Sequence, residues 1–291
     1  MNNISLSIAI PTYNRKFNIK QLVLKIKNQI SINDEIIVSD DFSDDGTYDE
    51  IIKINGVKVY RNDFNLGMVN NWNKCIEYAK NDWICIIHDD DDIYENGLNI
   101  IKKACNIIKA PCIIVPSYSY KYKYDDNEFI YEYIEQGANA VIYATSTPSG
   151  CTIHRNIFNN LGLYKTEYLY SPDLEFFPRI SKDYPTIKIK NPQIIRSSIH
   201  KKNYEFKTWR KDDFIPQLYS IEYDRAKYAN LNSEATKYLV ATRMKGHLKH
   251  MYKYAKINKD IAVIIKVARL LINYKLIDIL SKIQKLKSKL N

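Results

Sequence analysis

Four consecutive aspartates, Asp89 to Asp92, directly follow an apolar run in the segment ICIIHDDDDIY. Because like charges repel, a folded chain gathers four carboxylates where a cation or a polar partner compensates them. A divalent metal takes oxygen ligands, and a nucleoside diphosphate supplies more of them, so the segment predicts a metal and nucleotide site. A metal there would neutralise charge on a departing diphosphate. The alternative is a solvated acidic turn in which Asp92 caps the following helix.

Two further polar motifs follow other apolar runs. In SDDFSDDGT, Asp40 and Asp41 could accept hydrogen bonds from a nucleobase or from ribose hydroxyls. The same segment could also be an Asx-turn in which Gly46 supplies a positive φ. In IPTYNR, Tyr13 could lie against a base and Arg15 near a phosphate. Each of these two motifs alone is a weak indication of nucleotide binding.

The elements that must position these motifs alternate between strand and helix. We predict strands at SLSIAI, DEIIVS, VKVYR, DWICIIH and CIIV, and helices over 17–30, 47–54, 69–79 and 96–109. Such alternation is typical of a parallel sheet with helices on both faces. Since the carboxyl ends of parallel strands meet at one edge of the sheet, the three polar motifs should form one site.

The second half of the chain has a different pattern. Residues 118–143 are rich in tyrosine and alternate only weakly, which predicts an irregular hairpin or flap. A helix is predicted over 171–182, with Pro172 in its first turn. Short strands are predicted at TIKIKN and QIIRSSIH, and the chain from residue 207 onward is predicted to be helical.

The composition is that of a globular protein, since 45% of the 291 residues are hydrophobic and 26% are charged. A net charge of +10 favours an anionic partner, either nucleic acid or a membrane surface, although an AT-rich genome produces the same bias towards lysine. Five cysteines without a C-x-x-C pair predict free thiols in a reducing cytosol. We expect neither a signal peptide nor a membrane span, because no apolar run approaches about 18 residues.

The C-terminal segment from residue 260 combines a basic face with apolar residues at helical spacing. The apolar positions are Ile261, Ile264, Ile265, Ala268, Ile272, Ile279, Ile283 and Leu286. A basic amphipathic helix is typical of contact with an anionic membrane, and the alternative is a helix packed on the catalytic part of the chain or on a partner subunit. This concentration of positive charge argues against nucleic acid as the partner. His247 and His250 lie on a lysine-rich helix and are predicted to face solvent.

Three segments resemble, in order and spacing, the motifs of glycosyltransferase family 2. They are IAIPTYNR, EIIVSDDFSDDGTYDEI and NDFNLGMVNNWNKCIEYAKNDWICIIHDDDDIY, and the family motifs are IPTYNR, VVDDGSTDGT and NxGxxxARNxGxxxAxGxYIxFLDxDD. The resemblance covers about the first 115 residues. It implies a GT-A fold, which is an α/β fold with one Rossmann-like, mostly parallel sheet. It also implies inverting transfer from a nucleotide sugar with Mg²⁺ or Mn²⁺. The chain departs from the motifs at Phe42, Trp72 and Cys75, where glycine, arginine and glycine are usual.

The resemblance assigns roles to the residues at these positions. Asp91 corresponds to the last carboxylate of the acidic motif and would bind the metal, with Asp89 and Asp90 against the ribose and in the metal shell. His200, after the late strands, would complete the metal shell or contact the diphosphate, and the alternative is a surface histidine. Asp41, with Asp40 beside it, matches the acidic pair that recognises the base, usually uracil. The residues that would line the pocket for the base and the phosphates are Pro11, Thr12, Tyr13 and Arg15, and the polar positions after the third strand are matched by Arg61 and Asn65.

An inverting transfer needs a base that removes the proton of the acceptor hydroxyl. Family members carry an acidic residue for this at a helix start in the second half of the chain. In YLYSPDLEFFPRI this position is Asp173, and Glu175 is the competing candidate. The alternative role of Asp173 is to stabilise the helix N-terminus through the helix dipole.

We therefore expect an inverting, metal-dependent glycosyltransferase of the hexosyltransferase type that uses a UDP-sugar. It would extend a glycan or a lipid-linked saccharide in bacterial surface polysaccharide synthesis. It would be cytoplasmic and peripheral at the inner face of the cytoplasmic membrane, without a nucleic-acid partner.

The expected catalytic domain covers 1–205, with a nucleotide-sugar half over 1–117 and an acceptor half over 118–205, and a helical region covers 206–291. One alternative is a sugar nucleotidyltransferase, although PTYNRKFNIK lacks the usual glycine-rich loop. The other is a non-catalytic module that binds a nucleotide or a membrane.

Overall fold

The protein is described by a computed structural model that covers residues 4–108, 110–119, 128–144, 147–196 and 208–271. The chain divides into two compact units, Met1–Ile199 and His200–Asn291. The three predicted motifs and Asp173 belong to the first unit.

The first unit is built around two sheets. Its strands are β1 (Leu6–Thr12), β2 (Glu35–Asp40), β3 (Val57–Arg61), β4 (Trp83–Ile86), β5 (Asp92–Ile93), β6 (Ile113–Val115), β7 (Tyr118–Ser119), β8 (Ile130–Ile134), β9 (Thr152–His154), β10 (Thr186–Asn191) and β11 (Ile195–Arg196). Its helices are α1 (Lys16–Lys27), α2 (Thr47–Ile51), α3 (Met68–Tyr78), α4 (Gly97–Cys105), α5 (Ala138–Tyr143), α6 (Arg155–Leu161) and α7 (Pro172–Ser181). The large sheet has the strand order β3-β2-β1-β4-β9-β6-β10-β8, and the small sheet has the order β5-β11-β7.

The large sheet is mostly parallel, which confirms the predicted fold class. β1 pairs in parallel with β2 and β4, β2 with β3, and β6 with β10. The exceptions come from the second half of the chain, where β9 runs antiparallel between β4 and β6 and β8 runs antiparallel to β10. β9 begins at the carboxyl end of β4, where the Gly150 N–H donates to the Ile86 carbonyl. A strand that enters the sheet at this edge must run in the reverse direction.

The region predicted as an irregular hairpin or flap, 118–143, is more regular than expected. Its described residues include β7, β8 and α5, and 120–127 lie outside the described residues. β8 is an edge strand, and four of its five residues are exposed. Because an edge strand has little buried surface, Tyr131 and Tyr133 obscure the alternation that marks a strand in the sequence.

Side chains on both faces of the large sheet pack against helices. Ile8 and Ile10 of β1 belong to one apolar core with Val23 of α1. Ala9 points to the opposite core, which includes Trp72 of α3. Full burial of a side chain such as isoleucine contributes about 1.5–3 kcal/mol. These two cores fix the strands, and hence the loops at their carboxyl ends.

The described part of the second unit, residues 208–271, is largely helical, as predicted. It contains α8 (Phe214–Tyr228) and α9 (Ser233–Ile257), and residues 261–271 are also helical. Residues 272–291, which carry the rest of the predicted basic amphipathic helix, lie outside the described residues. None of the helices in the described ranges is both long and apolar enough to cross a membrane.

A buried ion cluster joins α8 and α9. The fully buried carboxylate of Glu222 accepts hydrogen bonds from Arg225 Nε at 2.9 Å and Arg243 Nε at 3.2 Å, and it lies 2.8 Å from His247 Nε2. Burial alone would raise the pKa of Glu222, but the His247 hydrogen bond and the two arginine charges hold it below its ordinary value. The prediction that His247 faces solvent is wrong, because this carboxylate binds its ring. His250 is exposed.

Candidate active site

The carboxyl ends of three neighbouring strands bring the predicted motifs together. Thr12 and Asp40, the last residues of β1 and β2, are paired across the two strands. β4 lies on the other side of β1, and the Ile87 N–H that follows it donates to the Ala9 carbonyl. The acidic run begins directly afterwards. The three polar motifs therefore lie at one edge of the sheet.

Asp89 binds the loop that follows β1. Its Oδ2 atom accepts hydrogen bonds from the Thr12 hydroxyl at 2.7 Å and from the Tyr13 backbone N–H at 3.3 Å. Arg15 Nε lies 3.6 Å from Asp89 Oδ1. Burial raises the pKa of Asp89 to about 7, although the Thr12 hydrogen bond and the Arg15 charge oppose the shift. Asp89 thus joins the first motif to the third, and its predicted ribose contact stays a prediction.

Four residues of the first motif were predicted to line the pocket, and they differ in access. Pro11 and Thr12 are buried within β1. The Tyr13 side chain is 45% exposed, and that of Arg15 is 41% exposed. A ligand at this edge of the sheet can therefore reach Tyr13 and Arg15, while Pro11 and Thr12 shape the loop beneath them.

Asp41 organises the loop that follows β3. Its carboxylate accepts hydrogen bonds from the Asn62 side chain at 2.8 Å and from the backbone N–H groups of Leu66 and Gly67 at 2.8 and 3.0 Å. Asn65 Nδ2 donates to the Asp41 backbone carbonyl at 3.2 Å. Asp41 is only 2% exposed. Both Asp41 and Asn65 are therefore engaged in holding this loop.

Asp40 keeps one carboxylate oxygen for another partner. Its Oδ2 atom accepts a hydrogen bond from the Ser43 N–H at 3.1 Å and lies 3.6 Å from Arg61 Nε. Its Oδ1 atom is buried and makes no hydrogen bond to any described residue. Burial raises the pKa of Asp40, although the Ser43 hydrogen bonds and the Arg61 charge oppose the shift. Since buried polar atoms in proteins are nearly always paired, a donor group of a ligand would suit this oxygen.

Arg61, the last residue of β3, lies close to the aromatic rings of Phe42, which follows β2, and of Tyr48 in α2. Its Nη2 atom donates to the Ser43 carbonyl at 2.8 Å. Its guanidinium carbon is 5.3 Å from the ring centroid of Phe42 and 5.1 Å from that of Tyr48. Phe42 has a φ of 64°, a conformation that glycine adopts readily, which explains the glycine of the family motif at this position. Phe42 is 47% exposed, so a ligand at this edge of the sheet can reach its ring.

Three side chains with metal-binding atoms meet after β4. One ligand atom each of His88, Asp90 and Asp91 lies within 4.8 Å of the others. Carboxylate oxygens suit Mg²⁺ and Mn²⁺, and imidazole nitrogen suits transition metals, so this donor set fits a divalent cation. Burial lowers the pKa of His88, although the charges of Asp90 and Asp91 oppose the shift, and the neutral ring is the form that binds metals. The sequence prediction omitted His88. His200 lies outside the described residues.

Asp92 does not belong to this group. Its Oδ2 atom lies 2.6 Å from Lys25 Nζ and 3.4 Å from Arg196 Nη2, and the residue begins β5. Asn96 occupies the position before α4. The alternative in which Asp92 caps the next helix is wrong, because two cations hold this carboxylate beside the small sheet.

The two candidates for the catalytic base have different environments on α7. Pro172 begins the helix, and Asp173 follows it in the first turn with a half-buried side chain. Glu175 is 1% exposed, and its Oε1 atom lies 2.8 Å from Arg179 Nε and 3.1 Å from Lys165 Nζ. Glu175 is thus part of an internal ion pair, which leaves Asp173 as the better placed candidate for contact with a substrate.

Two aromatic side chains, Tyr164 and Trp72, pack beside the metal-binding group. Burial raises the pKa of Tyr164 well above its usual range, and the charges of Cys151 and Asp173 add to the shift. The ring of Tyr164 packs edge-on against Trp72 at 5.4 Å between centroids, and Trp72 stacks on His88 at 4.9 Å. Trp72 thus fills, with an aromatic ring, the position at which the family motif has arginine.

A cavity of about 510 Å³ lies between α5, α7 and the strands β6, β8 and β10. Phe177 and Ser181 of α7 line it, and they follow Asp173 at intervals of four residues. Residues at this spacing share one face of a helix. Lys188 and Tyr143 contribute polar groups to the lining. The half of the chain predicted to bind the acceptor therefore has an open space along the helix face of Asp173.

Comparison with known proteins supports one family. A family model described as Glycosyl transferase family 2 matches residues 7–162. Abequosyltransferase RfbV of Salmonella typhimurium is 35% identical over 105 residues, which are 33% of this chain and 31% of RfbV. The GalNAc(5)-diNAcBac-PP-undecaprenol beta-1,3-glucosyltransferase of Campylobacter jejuni is 28% identical over 106 residues, which are 35% of this chain and 34% of that protein. The match thus spans about a third of each relative's length.

A solved structure also has a similar fold. The crystal structure of S. aureus TarS in complex with UDP-GlcNAc matches with a TM-score of 0.64 over 87% of this chain and 75% of that chain. The sequence identity is 15%, so the similarity concerns the fold alone.

Proposed function

The chain belongs to glycosyltransferase family 2 and has the GT-A fold, and on this premise we propose that it is an inverting, metal-dependent hexosyltransferase. It would transfer a sugar from a UDP-sugar to a glycan or a lipid-linked saccharide. One observation carries this proposal. The unpaired Asp40 oxygen and the group of His88, Asp90 and Asp91 lie at the same edge of the sheet. An acceptor for a nucleobase N–H lies there with ligands for the cation that accompanies a diphosphate.

We propose that Asp40 recognises the base and that Asp41 positions the loop after β3. The Oδ1 atom of Asp40 lacks a partner among the described residues, whereas the Asp41 carboxylate accepts three hydrogen bonds from the loop after β3. Uracil presents an N–H group that can donate a hydrogen bond to the Asp40 carboxylate. The exposed rings of Tyr13 and Phe42 offer flat apolar surfaces to a base. The UDP and UDP-GlcNAc complexes of S. aureus TarS support uridine as the nucleoside.

For the diphosphate we propose Asp91 and Asp90 as holders of a divalent cation, which would be Mn²⁺ or Mg²⁺. A cation at this position neutralises the charge that develops on a departing diphosphate. Arg15 is partly exposed and lies 3.6 Å from Asp89, so its guanidinium can also donate to a phosphate oxygen. The hydrogen bond from Thr12 to Asp89 holds this arginine's loop beside the cation ligands.

For the transfer step we propose Asp173 as the general base. Its carboxylate would accept the proton of the acceptor hydroxyl as that oxygen attacks the anomeric carbon. The new C–O bond forms on the face opposite the diphosphate while the bond to the diphosphate oxygen breaks, which inverts the configuration. The dipole of α7 favours a negative charge at Asp173. The cavity beside α7 offers room for part of the acceptor.

We propose a bacterial surface glycan as the product, made at the inner face of the cytoplasmic membrane. The support comes from the Campylobacter jejuni relative, whose name includes a PP-undecaprenol-linked saccharide, and from the abequosyltransferase of Salmonella typhimurium. Membership of the family argues against the two alternatives, a sugar nucleotidyltransferase and a non-catalytic module.

Release of UDP tests the proposed reaction. With Mn²⁺ and a bacterial lipid extract as the source of acceptors, UDP should be released from at least one member of a panel of UDP-sugars, and the release should increase with the amount of extract. A nucleotidyltransferase would instead release pyrophosphate from UTP and a sugar 1-phosphate. A non-catalytic module would release neither product, and either of these two results would contradict the proposal.

The second unit exposes apolar and basic side chains around the end of α9. Ile257 ends α9, Ile261 and Ile265 lie on the helical stretch that follows, and the three side chains are 66%, 69% and 47% exposed. Val263 and Val267 of the later stretch are buried, so the alternative of a packed helix holds for their face. We propose that the exposed isoleucines contact an anionic membrane. The exposed lysines around the end of α9 are Lys253, Lys256 and Lys259.

Serine in place of Ile257, Ile261 and Ile265 should weaken binding to vesicles that contain phosphatidylglycerol by at least about tenfold, because each apolar side chain that enters the interface contributes about 1.5–3 kcal/mol. Added salt should weaken binding of the parent protein by screening the lysines. Co-sedimentation measures both effects. Tyr238→Ser is the control, since Tyr238 is 76% exposed and lies in the first half of α9. Equal binding of the triple variant and the parent would refute the membrane contact.

A further inference from the structure

His88 has a buried ring nitrogen for which the described residues offer no partner. Its backbone N–H donates to the Ser149 hydroxyl at 3.1 Å, and its ring stacks on Trp72 at 4.9 Å between centroids. The Nε2 atom is shielded from solvent and makes no hydrogen bond within the described residues. Leaving a buried nitrogen unpaired destabilises the fold, so its presence indicates a ligand.

The neighbours of His88 hold its backbone in place. Ser149 is fully buried, and it is followed by Gly150, which has a φ of 77°. A Cβ atom on Gly150 would overlap the side chains of Ile195 and Pro116. Only glycine therefore allows the chain to pass close enough to place Ser149 against the His88 N–H. The His88 backbone is thus fixed beside the acidic run, and the Trp72 ring packs against its imidazole.

His88 also occupies a position of the family's acidic motif. Trp83 stands at the tyrosine of the motif YIxFLDxDD, and counted from there without a gap His88 falls on the first aspartate. Asp90 and Asp91 fall on the other two aspartates. These are the three residues whose ligand atoms lie within 4.8 Å of one another. This chain therefore has an imidazole where the family motif has a carboxylate.

We propose that His88 is a ligand of the divalent cation and that it makes the site selective for Mn²⁺ over Mg²⁺. Mg²⁺ prefers oxygen ligands in near-ideal octahedral geometry, whereas imidazole nitrogen suits the transition metals. A neutral ring in place of a carboxylate also lowers the negative charge that attracts Mg²⁺. This inference rests on the proposed function, because the same cation would bind the donor diphosphate.

Spectroscopy of Mn²⁺ bound to the full chain in the presence of UDP tests directly whether His88 is a ligand. Electron spin-echo envelope modulation detects nitrogen nuclei coordinated to Mn²⁺, so the parent should show imidazole modulation and His88→Leu should lack it. Calorimetry should show a loss of Mn²⁺ affinity of at least about tenfold in His88→Leu, with little change for Mg²⁺.

Two further variants serve as controls for His88→Leu. His88→Asp restores the carboxylate of the family motif, and it should bind Mg²⁺ more tightly than the parent while lacking the nitrogen modulation. His250→Leu removes an exposed histidine of the second unit and should match the parent in every measurement. Circular dichroism of each variant reports whether it is folded.

Two results would overturn the inference. One is a parent without nitrogen modulation, and the other is a His88→Leu variant that keeps both the modulation and the parent's Mn²⁺ affinity. The proposed function survives either result if Asp91→Asn still loses Mn²⁺-dependent binding of UDP. A parent that binds neither Mn²⁺ nor UDP would overturn both the inference and the proposed function.

Discussion

Replacing Asp173 with asparagine should lower kcat by a factor on the order of 10² to 10⁴ and leave donor affinity nearly unchanged. The proposed role of this carboxylate is to take the acceptor proton in the transition state, where it contacts neither the nucleotide nor the cation. Asp173 is half-buried in the first turn of α7. UDP release at saturating substrate gives kcat, and calorimetry with UDP gives the affinity.

Glu175→Gln is the matched control on the same helix. Glu175 is buried against Arg179 and Lys165, so the variant should lose stability, by about 3–5 kcal/mol for a broken buried ion pair. Its folded fraction should retain most of the parent's kcat. Near-normal turnover in Asp173→Asn together with a collapse of kcat in folded Glu175→Gln would place the base at Glu175.

Asp91→Asn should weaken the Mn²⁺-dependent binding of UDP by at least about 100-fold, because loss of a mere outer-shell partner of a metal ligand already costs about 10–100-fold. The variant replaces a charged ligand with a neutral amide in the group that Asp91 forms with His88 and Asp90. Calorimetric titration of UDP in the presence and absence of Mn²⁺ measures this effect. Circular dichroism should show an unchanged fold, because Asp91 lies outside the two apolar cores.

Asp92→Asn serves as the control for Asp91→Asn. Asp92 is adjacent in sequence, but its carboxylate binds Lys25 and Arg196 instead of the metal-binding group. This variant should bind UDP and Mn²⁺ within a few-fold of the parent. Equal losses in both variants would mean that the general charge of the acidic run, and no specific ligand, attracts the cation.

The different roles of the four aspartates could not be predicted from the sequence. In the sequence they are equivalent, and the prediction of a metal site treats them as one feature. In the structure Asp89 binds Thr12, Asp90 and Asp91 join His88, and Asp92 pairs with Lys25. Thr12 and Lys25 lie more than 60 residues away from their partners. No spacing rule within the acidic run encodes such contacts.

The parallel half of the fold was predictable because its signals are local. Each buried strand is an apolar run, and each polar motif begins where such a run ends, so the shared edge follows from the topology of parallel sheets. The antiparallel entry of β9 was not predictable, since it depends on contacts of Gly150 with Ile86 across the sheet. The prediction that His247 faces solvent was wrong for the same reason, because its partner Glu222 belongs to a different helix.

Titration of the parent protein with UDP and with GDP, each with Mn²⁺ and with EDTA, is the most direct test of a metal-dependent transferase that uses UDP-sugars. We expect UDP to bind more tightly than GDP and EDTA to remove most of this binding. The proposed basis of the first effect is Asp40, and that of the second is the group of His88, Asp90 and Asp91. Equal affinity for UDP and GDP, or binding of UDP that is unaffected by EDTA, would contradict a metal-dependent transferase that uses UDP-sugars.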